Sequence, residues 1–176
     1  MGCDIHSHLE YRHPKHGIEP VIANFFTFGR DYNLFATLAG VRNYDERPVF
    51  CSPRGLPEDV SEYIHQQFYT EIIPDNAADW RKNVMHEWCY EAQAKQYVEQ
   101  HNSHIRGYND SHRYVSNPDW HNASYLTRAE IIDSSAVSNY KLSSAPPEFQ
   151  MVLDFMDSID RRFGSGASRI VFCFDN

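Results

Sequence analysis

Polar and apolar residues alternate through the opening segment of the chain. Asp4, His6, His8 and Glu10 form the polar set; Cys3, Ile5, Leu9 and Tyr11 form the mostly apolar set, with Ser7 the exception. A period of two marks a β-strand with one buried face. His13-Pro14-Lys15-His16-Gly17 reads as a turn, and residues 18–22 as the returning strand of a hairpin. Pro20 cannot donate to a ladder, so that strand belongs at a sheet edge or carries a bulge. Near the other end, Ile170, Val171, Phe172, Cys173 and Phe174 form an unbroken β-branched and aromatic run, the pattern of a central strand covered on both faces. We expect it beside the first strand, so that the two ends of the chain meet.

Between these strands the period changes to that of helices. Leu34, Phe35 and Leu38 share one face of a short helix over 32–39, with Asp31 as its N-cap and Gly40 as its stop. Residues 41–54, with two prolines and three arginines, form an ordered loop. Pro57 opens a helix expected over 57–72, and after the break at Pro74-Asp75-Asn76 a long helix is expected over 78–101, with Trp80, Val84, Trp88, Ala92 and Val98 near helical spacing. Residues 102–122 are polar and turn-rich, a loop long enough to be functional or mobile, with a short strand at 113–115. Thr127 and Glu130 have capping-box spacing at the start of a helix over 126–137, and Pro146-Pro147 begins an amphipathic helix to Phe163, with Phe149, Val152, Leu153, Met156 and Ile159 inward. With no repeat and no low-complexity linker, the expected architecture is one α+β domain over 1–176. A small sheet of N-terminal hairpin and C-terminal strand packs against four or five helices.

Composition narrows the function classes. At 176 residues, with 41% hydrophobic and 14% aromatic residues, the chain can bury a true core. No apolar run approaches the length of a membrane span, and His6 stands where the N-terminal acylation pattern wants Ser or Thr. Cys3, Cys51, Cys89 and Cys173 are far apart, without a Cys-x-x-Cys pair, which fits reduced thiols and a cytoplasmic setting. A net charge of -8 argues against a duplex nucleic-acid surface. Charge is nonetheless balanced over the first 54 residues, six basic against six acidic, so a small anionic ligand belongs there. A homo-oligomer is compatible with this composition.

Several stretches are distinctive: Met1-Gly2-Cys3-Asp4-Ile5-His6, YNLFATLAGVRN from Tyr32, Arg54-Gly55-Leu56-Pro57, Ser124-Tyr125-Leu126-Thr127, and the closing RIVFCFDN from Arg169. They resemble a family of small proteins of tailed bacteriophages and prophages, over nearly the whole chain. The resemblance implies a phage setting rather than a reaction. It also points to His121, because a His-containing stretch precedes the Ser-Tyr-Leu segment in that family, and it ranks His6 ahead of His8.

The candidate chemistry follows from these residues. Asp4, His6, His8 and Asp175 can supply His and carboxylate ligands to a divalent ion (zinc, manganese or magnesium) if the terminal strands pair. The Asp4-x-His6-x-His8 spacing also resembles the first-strand motif of amidohydrolase-type barrels, folds that need more strands than this chain has residues for. His6 and His121 are the candidate catalytic pair. Arg42, Asn43, Arg54 and Tyr44 are the candidate ligand-binding residues: a guanidinium forks onto phosphate oxygens, and an aromatic ring stacks on a base. His86 and Glu87 fall short of a zinc helix, since Tyr90 takes the second His position. The expected function is a phage-type accessory protein acting on a small nucleotide or phosphodiester, as a metal-assisted hydrolase. The alternatives are a sponge that sequesters a nucleotide immune signal, with Phe25, Phe26, Phe28 or Tyr44 as stacking residues, and an inhibitor whose acidic helices at 58–71 and 154–160 engage a protein partner.

Overall fold

The computed structural model describes residues 2–22, 28–77, 88–101, 103–109 and 112–175. Their contacts group into two compact units, one made of the residues up to Ser61 and from His121 onward, the other of Glu62–Trp120. The architecture is α+β, with two four-stranded sheets.

In the first unit, β1 (Asp4–His13) turns back into β2 (Gly17–Ile22) as an antiparallel hairpin with a bulge between Leu9 and Glu10. β8 (Ser168–Asp175) pairs antiparallel with β1 from Asp4 opposite Asp175 to Tyr11 opposite Ser168, so the terminal strands lie edge to edge as expected. With β7 (Trp120–Thr127) the order is β2-β1-β8-β7, which leaves Pro20 on an edge strand where its missing N–H is harmless.

One face of this sheet, carrying Cys3, Ile5, Leu9, Ile170, Phe172 and Phe174, is covered by α1 (Tyr32–Ala39) and α5 (Pro147–Phe163). Leu34, Phe35, Leu38, Phe149, Val152 and Met156 complete the core. Each fully buried aromatic or aliphatic side chain contributes about 1.5–3 kcal/mol of transfer free energy. Asp31 caps α1 by accepting from the N–H groups of Asn33 and Leu34, and Gly40, in the left-handed conformation, ends it. The opposite face of β1 and β8 carries His8, Glu10, Val171 and Cys173, all buried as well.

The helix expected over 126–137 is a short α4 (Arg128–Ile132) followed by a 3-10 turn at Ser135–Ser138. Its capping box forms as expected: Thr127 Oγ1 accepts from the Glu130 N–H, and Glu130 accepts from the Thr127 N–H. Thr127→Ala should therefore lower stability by about 1 kcal/mol in urea denaturation, without changing the slope of the transition.

The second unit departs further from expectation. The helix expected over 57–72 is only α2 (Glu62–Phe68), because the chain passes directly into β3 (Tyr69–Ile73), an aromatic and β-branched run better suited to a sheet. Of the helix expected over 78–101, residues 78–87, with Trp80, Val84, His86 and Glu87, lie outside the described residues. The remainder is β4 (Trp88–Tyr90) followed by α3 (Glu91–His101), which buries Ala94 and leaves Val98 exposed. The polar stretch expected to be a loop with a short strand at 113–115 does hold that strand, β6 (His112–Ser116), and adds β5 (Ile105–Asn109), with which it forms an antiparallel hairpin. The order is β4-β3-β6-β5, with β3 parallel to β4 and antiparallel to β6, over a small core of Ile72, Cys89, Ala94 and Val115. No helix among the described residues is long and apolar enough to cross a membrane, and all four cysteines are free thiols.

Candidate functional site

The metal-ligand set drawn from the first strand does not assemble. Asp4 is held by Arg30, whose Nε and Nη2 donate to its two oxygens at 2.8 and 2.9 Å; this pairing holds the Asp4 carboxyl below its ordinary range. Asp175 accepts from the Asp4 N–H at 3.0 Å and lies 2.9 Å from His6 Nε2. His8 sits farther along the strand, 3% exposed, and burial pushes it down to about 4, with His6 adding to the shift. Among the described residues no three His, Cys, Asp or Glu side chains are arranged to hold an ion. Alternation places these residues on one face, as the sequence implied, but each of the outer ones is already partnered and the inner one is buried.

The expected catalytic pair is also divided. His6 shares the sheet face of Asp4 and Asp175, whereas the His121 ring stacks on Phe174, 6.1 Å between centroids, on the core face. The sheet lies between them. What remains at His6 is a His–Asp pair, with Asp175 orienting the imidazole.

His121 instead joins the expected ligand-binding residues. The loop after α1 and the start of β7 enclose a cleft of about 570 Å³ lined by Gly40, Val41, Arg42, Asn43, Tyr44, His121 and Asn122. Two left-handed residues build it, Arg42 at φ 53° and Asn122 at φ 50°. Such backbone is sparsely populated for non-glycine residues and persists where the surroundings enforce it. Asn122 Nδ2 donates to the Ala39 carbonyl at 3.0 Å, which leaves its Oδ1 as an acceptor 3.0 Å from His121 Nδ1. His121 Nδ1 therefore carries the hydrogen of the neutral ring, and Nε2 is the free lone pair. That Nε2 is buried and has no hydrogen-bond partner among the described residues.

No known family, curated protein or solved structure matches the chain.

Arg42 is the cationic element of the cleft. Desolvation opposes its charge, but the hydrogen bonds it donates to Tyr44 and Cys3 and the influence of Tyr32 outweigh it and raise its value further. Its guanidinium lies 5.1 Å from the Tyr32 ring centroid, a cation–π distance. Tyr44 is 83% exposed, a ring free to receive a planar ligand. Asn43 lines the cleft, but its amide is engaged both ways with the Arg47 backbone at 2.8 Å, so it shapes the loop. An adjoining hollow of about 150 Å³ shares Arg42, Asn43 and Tyr44 and adds Tyr32 and Arg47, with Arg47 paired to Asp45. Tyr32 and Asn122 are members of this constellation that residue type alone did not single out. The signal for Asn122 was its place directly after His121.

Arg54 is elsewhere engaged. It forks onto Glu130 at 2.7 and 2.8 Å, donates to the Tyr125 carbonyl at 2.9 Å and stacks 3.8 Å over the Tyr125 ring. Phe28 is a core residue, 2% exposed, while Phe25 and Phe26 lie outside the described residues. Of the acidic helix expected at 58–71 only α2 is helical before β3 begins, and at 154–160 Asp157 pairs with Arg128 and Arg161 and Asp160 accepts from Ser168, while Asp154 stays exposed.

Proposed function

We propose that this protein is a phage-type accessory protein of the host cytoplasm that holds a small nucleotide or phosphodiester in the Arg42–His121 cleft. One observation carries the reading. A firmly cationic Arg42 and a buried His121 Nε2 with no hydrogen-bond partner among the described residues meet at a cleft beside an exposed tyrosine ring. Arg42 supplies charge to phosphate oxygens, the His121 Nε2 lone pair accepts from a ligand hydroxyl or N–H, and Tyr44 supplies a stacking surface. Binding ranks above metal-assisted hydrolysis because the residues suited to a metal stand on the other face of the sheet and are engaged with one another.

Calorimetric titration with a panel of mononucleotides and cyclic dinucleotides tests this. At least one should bind, and Arg42→Ala should weaken it by tenfold or more, about 1.4 kcal/mol, with thermal stability within a few degrees of the parent. His121→Ala should weaken it as well. The bound compound should be recovered unchanged on heating. Binding indifferent to Arg42, or no binding across the panel, would overturn the assignment, and recovery of a cleaved product would replace holding with hydrolysis.

A further inference from the structure

The hollow of about 150 Å³ beside the Arg42 cleft offers a ligand two kinds of surface. One turn of α1 supplies Tyr32 and the Ala36 methyl, and the loop that follows supplies Tyr44. Tyr32 is held in place: its ring lies edge-on to Phe35, 5.8 Å between centroids, with the Arg42 guanidinium 5.1 Å from its own centroid. Aromatic walls of this kind take the flat face of a nucleobase. The rest of the lining is polar and charged. Asp45 and Arg47 stand there as a pair, with Arg47 Nε and Nη2 donating to Asp45 Oδ2 at 3.3 and 2.9 Å. The loop itself sets the pair. The Asn43 amide brackets the Arg47 backbone, donating to its carbonyl and accepting from its N–H at 2.8 Å each, and Glu46 between the two is left-handed at φ 50°.

An anionic acceptor thus stands next to a cationic donor. The two side chains are 68% and 32% exposed, and a pair so exposed is worth only about 0.2–1 kcal/mol, so both groups stay open to a ligand. The pairing edge of guanine complements them: its O6 accepts, while its N1–H and N2 amine donate side by side. Arg47 meets O6 and Asp45 takes the two donors, in charge-assisted bonds about twice as strong as neutral ones. Each of the other bases offers a single donor group on that edge, and adenine turns the lone pair of its N1 toward the carboxylate. Asn33, also on the lining, can pair with an adenine edge through its amide, but only in neutral bonds. Given a nucleotide in the Arg42–His121 cleft, we propose that this hollow receives its base and selects guanine.

Calorimetric titration of the whole chain with the monophosphates of guanosine, inosine, adenosine, cytidine and uridine, and with the cyclic dinucleotides of guanine and of adenine, tests the selection. In whichever series binds, the guanine compound should bind fivefold or more tighter than its adenine counterpart. Among the monophosphates, inosine, which lacks only the N2 amine, should fall between the two. Asp45→Asn, at an exposed position of a loop that Asn43 holds, should cut the guanine-to-adenine ratio at least threefold. Arg42-dependent binding with a smaller ratio, with another base preferred, with inosine equal to guanosine, or with a smaller cut in Asp45→Asn overturns the selection and leaves the nucleotide site standing. Failure of every compound to bind overturns both.

Discussion

Arg169→Met is expected to lower the unfolding free energy by about 3–5 kcal/mol, the largest loss we foresee from a single side chain. Glu10 is completely buried, and its carboxylate has two supports. Arg169 Nε donates to Oε2 at 2.7 Å, and the Ser61 N–H donates to Oε1 at 2.7 Å. Arg169 Nη1 reaches on to Asp59 Oδ1 at 2.7 Å, and Asp59 also pairs with Arg12. Asp59 keeps a cation when Arg169 is removed; Glu10 does not. A desolvated carboxylate is then left with one neutral donor, and that uncompensated charge, rather than the lost pair, is the main penalty. The distinction can be measured. Glu10→Gln keeps an acceptor for Ser61 and carries no charge, so Glu10→Gln/Arg169→Met should lose less than the sum of the single losses by at least 1 kcal/mol. Urea denaturation of the four proteins checks this, and strict additivity, or a loss below 1 kcal/mol for Arg169→Met, would contradict it.

The first unit was legible because its local signals agree with its packing. Asp31 and Gly40 bracket α1, Pro147 starts α5, and the inward set Phe149, Val152 and Met156 is the set that is buried. The unbroken apolar run of β8 fits a strand flanked by β1 and β7 with both faces covered. The second unit was not legible for a physical reason. Tyr69–Ile73 and Trp88–Tyr90 are too short for a period to be read from them, and they adjoin helices with no glycine or proline between, so helical propensity nearby masks them. Tertiary pairing with β6 decides their state.

The site divides in the same way. Arg42, Asn43, Tyr44 and His121 were found by residue type and resemblance, and they line one cleft. The metal set failed at depth rather than at direction. A period of two says that Asp4, His6, His8 and Glu10 share a face, but which of them reaches solvent depends on what packs above. The strand runs from exposed Asp4 to buried His8 and Glu10. Nor can a sequence announce that Arg30, twenty-six positions away, takes both oxygens of Asp4.

That depth gives His8 a measurable signature: stability should fall by about 3 kcal/mol between neutral pH and pH 4, and substituting His8 should remove most of the fall. Burial lowers the folded value of His8 to about 4 from an ordinary 6.5, so between those limits the unfolded chain binds a proton that the native protein does not. The sign follows directly. The stabilising preference for neutral His8 is fully present above pH 6.5 and is lost as pH falls through 4. A value lowered from 6.5 to about 4 corresponds to about 3 kcal/mol, most of it gone by pH 4.5. Arginine-paired carboxylates such as Asp4, Asp59 and Glu130 act in the same direction but lower down, because their folded values lie below the ordinary carboxylate range. His65, lowered by burial and by Arg106, shares the histidine window, so His65→Gln is the necessary companion to His8→Gln. Urea midpoints at half-unit steps from pH 7.5 to 4.5 should give a steep line for the parent, a shallow one for His8→Gln and an intermediate one for His65→Gln. A flat parent profile, or an unchanged slope in His8→Gln, would mean that the imidazole takes up its proton without leaving the fold, and that the second face of the sheet is wetter than its burial implies.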